Sequence, residues 1–274
     1  MPMEDALQQS VRQTQQRFYG KYRGFVSDNL DPEQRGRLKV SVPSVFGQQV
    51  TYWALPCLPF GGLADQGIFY LPQVDAQVWV EFEEGNKDHP IWTGVFWQPS
   101  EGVPEEALDH YPNNRVIKTP SGHCLEFDDE AGKEGLRLTH PKGSQLTIDE
   151  AGTVQLTDAQ GAHLTLDAEG NSLTLEDTNG NRLVMDNSGT TVSDGNGNEV
   201  VMSAGELKIS GQSIVISGTQ VDVGGQGGEP LIKGQSFLSL FATHMHTCTA
   251  PGSPTSPPIP QGEMSTLTTT TKAK

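Results

Sequence analysis

The sequence predicts an all-β chain in two parts, a small N-terminal barrel followed by a repetitive shaft, and three observations carry that expectation. Gly (31) and Pro (18) are abundant while hydrophobic residues make up only 34% of the 274 residues, a balance that favours extended, turn-rich structure over a helical core. Of 19 aromatic residues, 16 fall within residues 1–120, so the two parts fill their interiors with different side chains. An Asp-x-x-Gly spacing recurs every 7–10 residues through the second half, which is the signature of a repeat architecture.

Residues 1–19 read as an N-terminal arm or short helix, because Gln and charged residues dominate and only Leu7, Val11 and Phe18 are apolar anchors. Residues 20–100 hold short runs of strand character at 22–26, 37–42, 52–55, 77–82 and 91–96, separated by DPEQRG, GGLADQG and EEGNKDHP. Five strands in so short a span predict a small Greek-key barrel of the OB-fold type, with Trp53, Trp79, Trp92 and Trp97 available for its interior. Residues 101–120, rich in Pro and Glu at their start, read as a linker.

Residues 121–223 predict the shaft. Gly152, Gly161, Gly170, Gly180, Gly189 and Gly197 follow Asp149, Asp158, Asp167, Asp177, Asp186 and Asp194 by three positions. An apolar pair follows most of these glycines, as in Leu164/Leu166, Leu173/Leu175, Leu183/Met185 and Val200/Met202, and looser copies run from Leu125/Phe127 to Ile214/Ile216 and Val221/Val223. Residues two apart on a strand share a face, so each pair points inward and Thr165 or Thr174 outward. Asp hydrogen-bonds its own turn and Gly takes positive φ, which makes each Asp-x-x-Gly a corner. A strand with two inward residues cannot build a thick core alone. Three chains that each give one face can, and about ten to twelve repeats then rise ~50–60 Å at ~4.8 Å per rung. The expectation is a homotrimer whose shaft is a trimeric intertwined β-helix, or β-prism.

Charge and cysteine usage exclude several classes. The net charge of −16 has the wrong sign for nucleic-acid binding through phosphate contacts, including single-strand binding by an OB module. The shaft alone has 17 acidic and 5 basic residues, which reads as a solvated surface that resists edge pairing. Cys57, Cys124 and Cys248 form neither a disulfide framework nor a zinc ribbon, so assembly in a reducing cytoplasm is expected. No signal peptide and no membrane-spanning run is apparent in the sequence.

Candidate chemistry is sparse. The single Gly of each corner departs from the tandem glycines of calcium-binding β-rolls, so the aspartates read as structural. No G-x-S-x-G is present, His123 and Cys124 alternate across a strand, and the acids are strung along a repeat instead of flanking a sugar cleft, so no enzyme is expected. His89, His110, His140 and His163 read as isolated turn or surface residues. The suggestive segment is FATHMHTCTAPG. In extended backbone His244 and His246 face one way, and on a three-fold axis the pair becomes six imidazole nitrogens, enough for an octahedral transition metal such as iron, nickel or zinc. Cys248 is a further potential ligand but reads better as a small buried residue. The Pro-rich stretch beyond cannot continue a ladder, so residues 224–262 are expected to form the apex or tip and residues 263–274 a C-terminal tail or returning strand.

The order of these parts resembles the baseplate assembly protein V family of contractile phage tails and the matching part of VgrG spikes in type VI secretion. The resemblance rests on GFVSDNLDPEQRGRLKVSVPSVFG, YWALPCLPFGG and GIFYLPQVDAQVWVEFEEGNKDHPIWTGVFW, then on the glycine-spaced repeats and on His244-Met245-His246. It implies a structural central spike with an OB-fold domain, a triple-stranded β-helix and an apex where His244 and His246 of three chains share an iron ion, iron ranking ahead of zinc or nickel. It also implies docking on a baseplate hub protein, a target cell envelope, a place in a virion or injection-particle baseplate, and room for a separate tip protein or effector. The hub region that precedes the OB domain in VgrG proteins is missing from the pattern, which points to a phage, tailocin or related spike whose hub is another protein. The alternative is a trimeric tail-fibre adhesin or polysaccharide-processing spike, which needs an aromatic platform or acidic cleft that the shaft sequence does not offer.

Overall fold

The computed structural model describes residues 17–99, 102–223, 229–247, 250–252 and 267–273, and the chain divides into two compact units, Met1–Glu150 and Ala151–Lys274. Among the described residues no helix is long and apolar enough to cross a membrane.

The first unit opens with β1 (Tyr22–Asp28), β2 (Lys39–Ser41), the short helix α1 (Pro43–Phe46), β3 (Leu55–Pro56), β4 (Gln77–Phe82) and β5 (Pro90–Val95). The strands are ordered β2-β1-β4-β5-β3 and curl into an OB-like half-barrel, whose two edges are joined by the isolated bridges Leu38↔Ala54 and Ser41↔Val50, Leu38 and Ala54 exchanging backbone hydrogen bonds. Pairing across these edges does not extend into a ladder, because β3 is two residues long and Pro56 has no N–H to give. Alternation along β4 sends Val78, Val80 and Phe82 into a core with Val26, Leu38, Val40, Val42, Ala54 and Trp92. Each such side chain contributes ~1.5–3 kcal/mol relative to leaving it exposed.

Of the four tryptophans expected in that core, only Trp92 belongs to it, its Nε1–H donating to Gly36 O at 3.0 Å. Trp79 sits on the opposite face of β4, its ring centre 4.8 Å from that of Phe96 and under the Arg23 guanidinium. Trp53 lies beneath Arg37 and Lys39, and Trp97 is exposed. The arm expected over residues 1–19 lies outside the described residues except at its end, where Phe18 N–H donates to Gly85 O and the ring packs on the core.

The segment expected to be a linker carries structure of its own, a 3-10 turn at Glu105–Leu108 and β6 (Asn114–Lys118). Antiparallel neighbours follow as β7 (Cys124–Asp128), β8 (Gly135–Thr139) and β9 (Gln145–Ile148).

The second unit continues with β10 (Val154–Thr157), β11 (His163–Asp167), β12 (Ser172–Glu176), β13 (Arg182–Asp186), β14 (Gly189–Ser193), β15 (Glu199–Ser203) and β16 (Leu207–Ser210), each antiparallel to the next. The repeat at Ile214/Ile216 forms no strand, and Ile214, Val215 and Ile216 are all exposed in the single chain. Residues 267–273, expected as a tail or a returning strand, return as β19 (Leu267–Ala273) between β17 (Val221–Asp222) and β18 (Glu229–Ile232). A helix that the sequence reading did not include, α2 (Gly234–Thr243), precedes the histidine pair. Its signal was the i,i+4 spacing of Phe237 and Phe241, whose rings stack with centres 5.9 Å apart.

Candidate functional site

Antiparallel register decides what the strands present. Directly opposed residues share a face, so Leu164 stands opposite Leu156 and Leu175, Leu183 opposite Leu175 and Val192, and Val200 opposite Val192 and Ile209. The other face carries Thr165 against Thr174, Val184 against Thr191, and Glu176 against Arg182. The apolar column is not covered within one chain: Leu166, Leu175, Met185, Val192 and Met202 remain 43–50% exposed. The same division holds in β6–β9, where Ile117, Phe127 and Leu138 lie on the apolar side.

The corners hold this ladder in register. Asp158 Oδ1 accepts the N–H groups of Gln160, Gly161 and Ala162. Asp177 and Asp194 do the same for residues two and four ahead and also bind the amides of Asn181 and Asn198. Those side-chain amides, followed by the backbone N–H groups, hold both carboxyls down at about 2. Gly189 illustrates why the corner excludes side chains, since a Cβ there would fall 1.9 Å from Met202 O. One corner departs from the pattern: Gly170 keeps an ordinary φ and Asn171 takes the positive value of 47°. The corner carboxylates are thus engaged by the chain itself, and among the described residues no three ligating side chains gather for a metal ion.

On the polar face of β6–β8 a buried network joins the 3-10 turn to the sheet. Asn114 Nδ2 donates to Glu106 O at 2.7 Å and to Glu126 Oε1 at 2.8 Å, and Lys118 Nζ meets Glu106 at 2.6 Å. The Lys118 ammonium lowers the Glu106 carboxyl, while burial pushes the Cys124 thiol up, away from nucleophilic duty. His123 turns from Cys124 toward His140, with ring centres 4.9 Å apart. His110 pairs with Asp128. Sequence spacing shows neither partnership, because each joins residues 17 or more apart through the ladder.

At the end of α2 the chain becomes extended at His244. The rings of His244 and His246 lie 5.1 Å apart, near the ~4.5 Å between two cis imidazoles on one ion with metal–nitrogen bonds of ~2.1 Å. His244 Nδ1 is hydrogen-bonded to Phe241 O, so its proton is fixed there and Nε2 carries the lone pair. Two imidazoles at this separation are donors of the type that transition metals take. Cys248 lies outside the described residues.

Comparison with known proteins joins these parts. The profile of the type VI secretion system/phage-baseplate injector OB domain matches residues 22–97, and that of the phage baseplate V C-terminal trimerisation domain matches residues 114–172. The chain is 27% identical over 146 residues to the actin cross-linking toxin VgrG1 of Vibrio cholerae serotype O1, and 34% identical over 67 residues to the pre-baseplate central spike protein Gp5 of Enterobacteria phage T4. Those matches take in 50% and 24% of this chain but span only 13% and 12% of the two relatives. A solved TCP10 domain of Danio rerio CPAP, 12% identical and covering 72% of this chain and 98% of that one, has a TM-score of 0.20 and carries no argument. The trimerisation domain implies a homotrimer. The chain thus carries an injector OB domain of the type VI secretion and phage-baseplate kind followed by a phage baseplate V C-terminal trimerisation domain, and over these parts it is similar to baseplate and type VI secretion spike proteins.

Proposed function

We propose that the chain is the central spike of a contractile tail or injection-system baseplate: three OB domains dock on the baseplate hub, the acidic repeat forms a triple-stranded β-helix, and the apex meets the target envelope first. The observation that carries this reading is the apolar column left half-exposed along one face of the ladder. Covered by two further copies, it becomes the interior of a prism whose load is shared by many backbone hydrogen bonds. The work is mechanical and the chain is not an enzyme; nucleic acid is not a partner, since the surface is acidic.

At the apex, His244 and His246 of three chains supply six imidazole nitrogens to one iron ion, with zinc or nickel as the next fits. The metal would pin the three tips together. The chain's own part is to orient the ligands: helix α2 ends where His244 is needed, and Phe241 O fixes its ring. A separate tip protein or effector can cap this end.

Light scattering with elemental analysis tests the reading, the expected result being three chains and about one metal per trimer. Changing His244→Ala with His246→Ala should remove the metal while the OB domain and repeats stay folded. One metal per chain, or metal retained by the double variant, refutes the shared site. Particles built with that variant should assemble and contract but deliver less, and undiminished delivery refutes the role of the apex.

A further inference from the structure

The OB domain carries an apolar loop that the half-barrel does not use. Between β3 and β4, residues 57–73 form a pinched loop in which Ile68 N–H donates to Phe60 O at 3.2 Å. The neck requires Gly67, with φ of 147°, because a Cβ there would sit 3.3 Å from Phe60 O and from the Cα of Gly61. Above the neck Leu63 is 76% exposed, and Phe60, Phe69 and Tyr70 are also mostly exposed. The loop is seated all the same: Phe69 lies over Gly36, where a Cβ would meet its ring at 3.1 Å. Gly36 belongs to a turn that Asp31 organises by accepting the N–H groups of Glu33, Arg35 and Arg37 and the Arg37 guanidinium. Beside the loop is an open hollow of about 910 Å³ lined by Arg35, Cys57, Pro59 and Phe60. An exposed apolar cluster on a rigid base is the mark of a contact surface.

We infer that this loop packs against the OB domain of a neighbouring copy, so that the three OB domains close into a ring. Two observations select a second copy over a different protein. The first is charge. Residues 20–100 carry 9 acidic and 6 basic side chains, so OB copies of like charge meet most readily through a surface poor in charge, and residues 57–73 contain a single charged side chain, Asp65. The second is tethering. The 3-10 turn at Glu105–Leu108 is fixed to β6 by Asn114 and Lys118, and Phe96 and Gln98 are hydrogen-bonded to Gln77 of β4, so only residues 99–104, with a reach of ~20 Å, connect the OB strands to the trimerising sheet. An OB unit of this length is itself roughly 30 Å across. Three of them on such leashes are held at effective concentrations in the millimolar range, where a small apolar contact suffices. A three-fold contact is heterologous, so the protruding Leu63 of one copy meets a different patch on the next.

The inference rests on the homotrimer, and the test separates the two. A photocrosslinking benzoylphenylalanine is introduced into the full chain at Leu63 and, as a control, at Leu175, and each purified protein is irradiated. The Leu63 probe should give covalent dimers and trimers whose crosslinks map within residues 22–97 of another copy. Crosslinking at Leu175 but not at Leu63 overturns the ring and leaves the trimer standing. Crosslinking at neither position, with a monomer's mass, overturns the trimer itself. Capture of a different protein in assembled particles, with no chain-to-chain product, reassigns the loop to that partner and overturns the inference. As a second readout, Leu63→Asp, a change at an exposed tip, should leave the mass trimeric but speed limited proteolysis of residues 96–104 about five- to tenfold. An unchanged rate overturns the ring.

Discussion

Replacing Leu175 by Asp tests the shared face at its centre. Leu175 stands opposite Leu164 on one side and Leu183 on the other, and it is 50% exposed in the single chain. Complete burial of a leucine is worth ~1.5–3 kcal/mol, so covering the exposed half contributes ~0.8–1.5 kcal/mol per chain and ~2–5 kcal/mol per trimer. Asp forfeits that and brings three carboxyl groups into the interface without partners, each costing about 1–3 kcal/mol. The sum, ~5–14 kcal/mol per trimer, corresponds to roughly four to ten decades in the association constant. Thr174 is the internal control, since it lies on the other face opposite Thr165 and Val184, and Thr174→Asp should change stability by less than about 0.5 kcal/mol. Light scattering over a dilution series reads the outcome: Leu175→Asp should run as monomer at concentrations where Thr174→Asp remains trimeric. Equal behaviour of the two variants would refute the assignment of the faces.

Gly24→Ala probes the OB core, because a Cβ on Gly24 would lie 2.5 Å from Val40 Cγ1 and 3.0 Å from Val80 Cγ2, both fully buried. Overpacking of this kind costs ~1–3 kcal/mol, and calorimetry of the OB transition should show Tm lowered by about 5–20 °C. Acid should loosen the corners late: Asp177 and Asp194 are depressed from 3.8 to about 2, so their contribution is complete above the unfolded value and is lost as pH falls between the two. Changing Asn181→Ala with Asn198→Ala removes the first cause of both shifts, and carboxyl NMR titration should then find both groups closer to 3.8.

Much of the fold was legible because period and face are linked by geometry. The strands at 22–28, 77–82 and 90–95, and each ladder strand from 163 to 203, follow from alternation bounded by turn residues. The pairing of Leu164 with Leu175 follows from the corner spacing. The two histidines could be singled out because residues two apart share a direction. What stayed hidden depended on contacts made across the chain. Trp79 looks like a core residue until β1 and β5 show which face of β4 is covered. Asn114 reads as linker because its value lies in bridging Glu106 and Glu126, which no local pattern records. The loop at 57–73 reads as a turn because glycines mark turns, whereas its importance lies in the side chains that the neck holds out to solvent.

The ladder also implies an order of events during synthesis. From β11 to β16 each strand pairs with the one made just before it, so the sheet can lengthen rung by rung as the polypeptide emerges, with little loop-closure entropy at any step. β19 is different, since Thr271 pairs with Val221, fifty residues earlier, and it slots between two strands that must already be present. The growing ladder presents its half-exposed apolar face throughout this time. β19 is then the latch of its sheet, closing only after β17 and β18 have been made.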